Sequence, residues 1–341
     1  MAQASEGGAS GRRLDPAAPL RALAHGAMNL LEWPMRLAQR WLGLRAIAWV
    51  FLLPNLLIFG LFTFLPIGLN FVYATTGGDQ VMLQDRRYVG AANFETLLAC
   101  GNYLDPATCN RDLFWRSIFN TGLFVTFQVG AMVLLSLVTA LVLNREIRGR
   151  GFFRSAFFFP VLLSPVVVAL IWKWILQREG LLNAWLLGLG QEPRLWLLEA
   201  DWAFFWVIFV SIWAHMGFYT LILLAGLQAI PRDVYEAAEM DAASPWRMFS
   251  RITLPLLMPN LLVVLVLALI KGVQTFDEVY VLTGGGPGSA TMLIVQYIYE
   301  TGFAAQPRLY GIAAAASLML AGVLLVLTLA QLWMNRRNLH G

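Results

Sequence analysis

The chain has 341 residues, of which 59% are apolar and only 13% charged, and its formal net charge is +4. An ordinary soluble domain is nearer half apolar and a quarter charged, so this composition excludes a cytosolic enzyme and points to lipid contact. Disorder is excluded as well, because 13 Trp and 22 Phe are the wrong residues for it.

The first 45 residues open with the small, polar stretch Met1–Gly11 and continue into an arginine-bearing segment. No apolar region with a small-residue cleavage site is visible there, so the first long apolar run is expected to stay in place. Leu20, Leu23, Leu30, Leu31, Leu37 and Trp41 mix with Arg21, Arg36 and Arg40. That pattern suits an interfacial helix on the cytoplasmic leaflet, or an ordered lead-in with no special role.

Six apolar runs reach bilayer length, which needs roughly 20 residues at about 1.5 Å each. They lie near Ala46–Ala74, Ile118–Leu143, Phe152–Leu176, Phe204–Leu227, Leu256–Leu282 and Tyr310–Trp333. Pro54 and Pro66 interrupt the first, which a span tolerates when neighbouring helices satisfy the freed backbone groups. The expected fold is an all-α membrane protein with six transmembrane helices. Its membrane domain covers 46–334, between an N-terminal extension (1–45) and a short tail (335–341).

Six spans put both termini on one side. Segments on that side hold fifteen arginines and the opposite segments seven; Arg145, Arg148, Arg150 and Arg154 crowd one short loop. The positive-inside rule then places both termini in the cytoplasm. The arginines are scattered between apolar runs, so no nucleic-acid partner is expected. Cys100 and Cys109 fall in the first external loop, where they either pair in an oxidising compartment or stay reduced. Two cysteines make neither a disulfide framework nor a zinc site, and no metal site is expected.

Polar residues inside spans usually face a cavity or a partner. Thr121 and Gln128 in span two are i, i+7 neighbours and are expected on a cavity. In span four His215 and Tyr219 stand at i, i+4; hydrogen-bonded packing is the plainer reading, a proton relay or substrate contact the sharper one. In span five Lys271, Gln274, Thr275 and Glu278 occupy one face of a continuous helix, with Asp277 off it. Phe276 and Tyr280 lie beside them. Such a stripe suits a sugar, whose hydroxyls take hydrogen bonds while its ring faces stack on aromatics. The alternative is that Lys271 pairs with a carboxylate on a neighbouring helix and only holds the bundle together. Ala313–Ala316 reads as close helix packing.

The loop between spans four and five, about 228–255, is long for a connector. Pro231 suits a first helical position, Asp233 and Glu236 favour the positive helix start, and Ala237 and Ala238 are strong helix formers. Pro245 is expected to end or bend this helix, with Trp246 and Phe249 as apolar anchors. This segment resembles the cytoplasmic signature loop of permease subunits of binding-protein-dependent ABC importers. The family pattern is Glu-Ala-Ala, three residues, Gly, nine residues, then Ile-x-Leu-Pro; here Glu236-Ala237-Ala238 is followed in register by Ile252-Thr253-Leu254-Pro255. Asp241 and Phe249 fall where the sugar branch has Asp and Phe. Ala242 replaces the family glycine, and alanine disfavours the left-handed backbone of a tight turn. The stretches Val281–Thr291 (Val-Leu-Thr-Gly-Gly-Gly-Pro-Gly-Ser-Ala-Thr) and Val89–Phe94 are similar to the same branch, in its first, maltose-type chain.

The resemblance implies a type I importer permease in the bacterial cytoplasmic membrane, with no catalytic residues of its own. It implies a second permease chain, two ATP-binding subunits that hold ATP and magnesium, and an external solute-binding protein. Residues 231–255 would be the helix that couples to the ATPase. Consistently, neither Lys173 nor Lys271 sits in a Gly-x4-Gly-Lys-Ser/Thr loop. The transported solute would be a sugar or related polyol; glycerol phosphate remains open. A stand-alone secondary transporter would show inverted repeats, and none is evident. A membrane enzyme would need a reactive cluster, whereas His25, His215 and His340 lie on different elements. An exporter half would carry its own ATPase domain.

Overall fold

A computed structural model describes residues 51–338, with Gly43 and Trp49 before them. The expected interfacial helix and most of the N-terminal extension lie outside the described residues. The chain divides into two units, 1–69 and 70–341. In the first, the described part is the start of helix α1 (Phe51–Ala74), which carries a π-turn at Gly60–Phe64; no residue of 51–69 is buried.

The second unit opens with a small layer, external in the expected orientation. β1 (Thr76–Gly77) pairs antiparallel with β2 (Arg87–Tyr88), with Thr76 opposite Tyr88. α2 (Ala92–Leu98) follows. Cys100 and Cys109 are joined by a disulfide, S–S 2.05 Å. Arg86 is buried in this layer. Its Nε donates to Thr76 Oγ1 (2.8 Å), and its terminal nitrogens donate to the carbonyls of Gln80 (2.7 Å) and Thr76 (3.1 Å). Burial lowers its pKa, while the neighbouring Tyr73, Tyr310 and Asp79 work the other way. Asn93 Nδ2 donates to the carbonyls of Ala74 (2.8 Å) and Thr76 (3.0 Å), closing the layer onto the end of α1.

The bundle is built from α3 (Asp112–Asn144), α7 (Ala200–Gln228), α9 (Pro245–Val273) and α12 (Tyr310–Asn338). α3 packs along α7, and α9 closes against both. Phe124, Met132, Val207, Leu223, Leu257, Val264 and Ala268 form the centre of this core. A second cluster gathers Leu97, Phe114, Ile294, Tyr297, Ala315 and Ala316, so the alanine run of α12 is a packing face as expected. Large apolar side chains such as Phe127, Leu134 and Val263 point outward, as lipid contact requires.

Spans one, two, four and six match the expected runs to within a few residues. Five described helices are long and apolar enough to cross a membrane, or six if one bent pair counts as a span. That pair is the third run, which the sequence reads as one helix. It breaks into α4 (Arg150–Phe158), a 3-10 turn (Phe159–Leu162) and α5 (Pro165–Leu176), with α6 (Leu181–Gly188) beyond. The axes of Arg150–Leu162 and Pro165–Gly188 differ by 102°. Pro160 and Pro165 are the physical reason: each removes a helical donor, and Pro165 also pushes the residue before it out of the α region. Ser164 is extended accordingly, with ψ 138°. The loop that follows is organised by Asn183, whose side chain is fully buried. Its Nδ2 reaches the carbonyls of Gln177, Arg178 and Arg194, and its Oδ1 accepts from Arg194 N and Trp196 Nε1.

The end of α4 sits against α7 at Gly217. A β-carbon there would run into the carbonyl oxygen of Phe157 and the backbone of Phe158. Gly217→Ala is therefore expected to lower stability by about 1–3 kcal/mol through overpacking, read as a lower thermal unfolding midpoint of the purified chain in detergent. A midpoint equal to wild type would show that the two backbones separate freely.

Candidate functional site

Two regions bring the residues singled out by the sequence together. The first is the loop between α7 and α9. Helix α8 (Arg232–Met240) starts directly after Pro231, which serves as N-cap rather than first helical residue. Asp233 lies in its first turn. It ends with the N–H of Ala243 bonded to the carbonyl of Ala238 and that of Ala242 to Glu239, both at 3.0 Å. This pair of bonds is a Schellman cap, which needs a left-handed residue at Ala242. Ala242 adopts it, at φ 51°, alone among the described non-glycine residues. The bend that alanine disfavours is thus made anyway, at a cost of roughly 1–2 kcal/mol.

Pro245 does not end this helix but opens the next. Ser244 caps α9, its Oγ accepting from Arg247 N at 3.4 Å, and Pro245 takes the first helical position. α9 then passes through a π-turn at Phe249–Thr253, so Ile252-Thr253-Leu254-Pro255 lies inside a continuous helix entering the bundle. The Tyr235 hydroxyl and Thr253 Oγ1, 3.1 Å apart, tie α8 to that entrance. Glu236, Ala237, Asp241, Ala242 and Pro255 are exposed; Ala238 is buried, and Phe249, Ile252 and Leu254 are partly buried against neighbours. Met240 and Trp246 stand 88% and 73% exposed on the same loop.

The second region is span five, which the sequence reads as one helix. It ends at Val273, and a new helix α10 (Asp277–Thr283) starts after Phe276, whose φ of −143° and ψ of −62° are not helical. The break scatters the expected stripe. Gln274 and Tyr280 face outward, Lys271 is half-buried, and Thr275 and Glu278 turn into the protein. Thr275 Oγ1 donates to the Lys271 carbonyl at 3.0 Å. Glu278 Oε1 lies 3.4 Å from Ser211 Oγ on α7, and no ion pair joins Lys271 to a carboxylate among the described residues. His215 Nδ1 is 2.9 Å from the Ser211 carbonyl and Tyr219 is buried, so these two belong to the packing of α7.

Thr121 lines a cavity of about 190 Å³, as expected, whereas Gln128 departs from the cavity-facing expectation. Thr121 Oγ1 donates to the Ser117 carbonyl and accepts from Ile294 N at 2.9 Å. Gln128 is fully buried against Gly272, where a β-carbon would press on its Oε1. The glycine-rich segment after α10 folds back into the bundle and leads into α11 (Ile294–Tyr299) and a π-turn (Glu300–Ala304). Asn120 Nδ2 holds it through the carbonyls of Ser289 (2.8 Å) and Met292 (3.1 Å). Gly285, at φ +84°, leaves the room that the Gln296 amide occupies. Sequence reasoning missed Gln296 and the return of this loop; Thr283 and Thr291, hydroxyls 2.7 Å apart, were the available signal.

Residues 132–340 match the family described as binding-protein-dependent transport system inner membrane component. The chain belongs to this family. The trehalose/maltose transport system permease protein MalF of Thermococcus litoralis is 35% identical over 295 residues, covering 85% of this chain and 94% of that one. The lactose transport system permease protein LacF of Rhizobium radiobacter is 31% identical, with the same two coverages. Among solved structures, a bacterial ABC transporter that imports the acidic polysaccharide alginate superposes with a TM-score of 0.71 at 25% identity, over 93% of this chain and 99% of that one. The chain therefore has the type I ABC importer permease fold, and it is a multi-pass membrane protein.

The left-handed Ala242 gives this permease a test. Ala242→Gly should raise its stability by about 0.5–1 kcal/mol, because relief of strain exceeds the added freedom of the unfolded chain. Chemical denaturation of the two purified proteins measures it; a less stable glycine variant would contradict the cap.

Proposed function

We propose that the chain is a non-catalytic membrane subunit of an ATP-driven importer. With a second permease it forms the translocation pathway for a sugar or related polyol. The observation that carries the coupling half of this reading is the exposed surface made by Glu236 and Met240 of α8 and Trp246 at the start of α9, with the turn between the two helices set by the Ala242 cap. Two ATP-binding subunits, which hold ATP and magnesium, would receive this surface, and their closure would tilt α9 through the π-turn. The unburied apolar stretch of α1 suits lipid and a second permease. An external solute-binding protein would deliver the sugar to the opposite face. An alginate importer of similar fold has been crystallised with its pentasaccharide-bound periplasmic protein, which supports that partner. The arginine asymmetry supports cytoplasmic termini in a bacterial inner membrane.

Sugar as the solute rests on the relatives, which include trehalose/maltose, lactose and, in Agrobacterium fabrum, sulfoquinovosyl glycerol permeases. An anionic polyol derivative is the second reading, favoured by Lys271, half-buried at the break with no ion pair among the described residues.

Glu236→Ala combined with Ala237→Asp is expected to abolish sugar uptake while the chain still inserts in the membrane at normal abundance. Normal uptake would sink the coupling assignment. Gln274→Ala, at the exposed corner of the break, is expected to raise the KM for uptake about threefold to tenfold, an amount typical of one lost hydrogen bond. Unchanged kinetics would remove Gln274 from the pathway.

A further inference from the structure

A continuous series of aromatic rings leads from the break in span five to the external layer. Phe276 stacks on Tyr280, centroids 5.1 Å apart, and both meet Tyr299, at 5.2 and 5.5 Å. Tyr299 stacks on Phe303 at 6.1 Å. Phe303 meets Tyr310 edge-on at 6.3 Å, and Tyr310 meets Tyr73 at 6.4 Å. Phe276, Tyr280, Tyr299, Phe303 and Tyr310 belong to neither of the two packed cores. Phe303 is 61% exposed, and Tyr280 and Tyr299 are each 37% exposed. Rings that were only core filling would be covered; these present surface along the whole series.

At its outer end the series opens into a cavity of about 340 Å³. Tyr73, Phe303 and Tyr310 supply the ring walls, and Asn70 and Ser317 supply polar groups among them. Asn70 Nδ2 donates to Ser317 Oγ at 2.8 Å, which leaves the amide oxygen free to accept. The rings at this end are fixed from behind. The guanidinium of Arg86 lies 5.0 Å over Tyr73 and 5.8 Å over Tyr310, and its three hydrogen bonds to the external layer hold it there. A ligand meeting these rings has no side-chain ordering to impose on them.

We propose that this series is a stacking track for the transported sugar, with an outer subsite in the Asn70–Tyr310 cavity that receives a pyranose ring before it reaches the break at Gln274–Phe276. The proposal rests on the sugar reading above. A pyranose has a C–H face that lies on an aromatic ring and a hydroxyl edge that seeks donors and acceptors. The cavity offers both, whereas a lipid acyl chain would have no use for Asn70 and Ser317. Several similar, shallow contacts in series also suit conduction, which needs sites that bind well enough to enter and weakly enough to leave.

The test is uptake of radiolabelled maltose, trehalose, lactose and an alginate oligosaccharide by native cells carrying the full chain or its variants. Tyr299→Ala and Phe303→Ala should each raise the KM for the transported sugar about fivefold or more, the effect of one lost ring contact. The maximal rate should stay within about twofold, because the coupling surface is untouched. Phe303→Trp, which keeps a ring, should behave like wild type. Unchanged KM in both alanine variants at normal membrane abundance would overturn the track while leaving the importer standing. Uptake of none of these sugars by wild type would overturn the sugar reading and the track with it. A second measurement needs no variant: saturation-transfer NMR on the full chain in lipid nanodiscs with maltotriose should show magnetisation passing from aromatic protons to the sugar. Transfer confined to lipid acyl chains would overturn the outer subsite.

Discussion

In a bilayer every backbone group must find its hydrogen bond inside the protein, and the breaks in this bundle depend on that constraint. A helix that stops at membrane depth frees carbonyls and N–H groups that lipid cannot satisfy. The chain meets the need with short polar side chains. Thr121 accepts from Ile294 N where the glycine-rich loop after α10 turns back, and Asn120 binds the carbonyls of Ser289 and Met292 in the same turn. Lys173 Nζ donates to the Val281 carbonyl near the end of α10 at 3.1 Å. Asn183 does the same outside α5 with its whole amide.

This explains why intramembrane polarity is an ambiguous signal. A threonine that lines a pathway and one that satisfies a broken helix look alike in sequence. The spans themselves were legible, because a run of apolar residues is a direct statement about the solvent. So were the presence of a short helix after Pro231 and the packing role of Ala313–Ala316. The bend of span three was written in Pro160 and Pro165, although a reading tuned to span length passes over them. The break at Gln274–Phe276 had no proline to mark it. It depends on α3, where Gln128 fits against Gly272, and on α7, where Ser211 faces Glu278. Those are tertiary facts. For the same reason, the stripe from Lys271 to Glu278 was drawn on a helix that does not continue.

The cap at Ala242 shows the opposite case, a local preference overridden by context. Residue type argued against a left-handed backbone, yet two hydrogen bonds from one short turn outweigh the strain of a single β-carbon. The turn between α8 and α9 is thereby fixed by backbone bonding, and its outward side chains are left free for contact.

The contact at Gly217 has a mechanical consequence. With no side chain between α7 and the end of α4, the two backbones meet directly, and nothing compressible lies between them. A tilt of α7 must carry Phe157 and Phe158 with it. Spans three and four therefore act over this stretch as one strut. The strain of any rearrangement falls on the 3-10 turn at Phe159–Leu162, where the backbone ladder is already interrupted. A hinge is placed there by default, as the weakest joint beside the stiffest one.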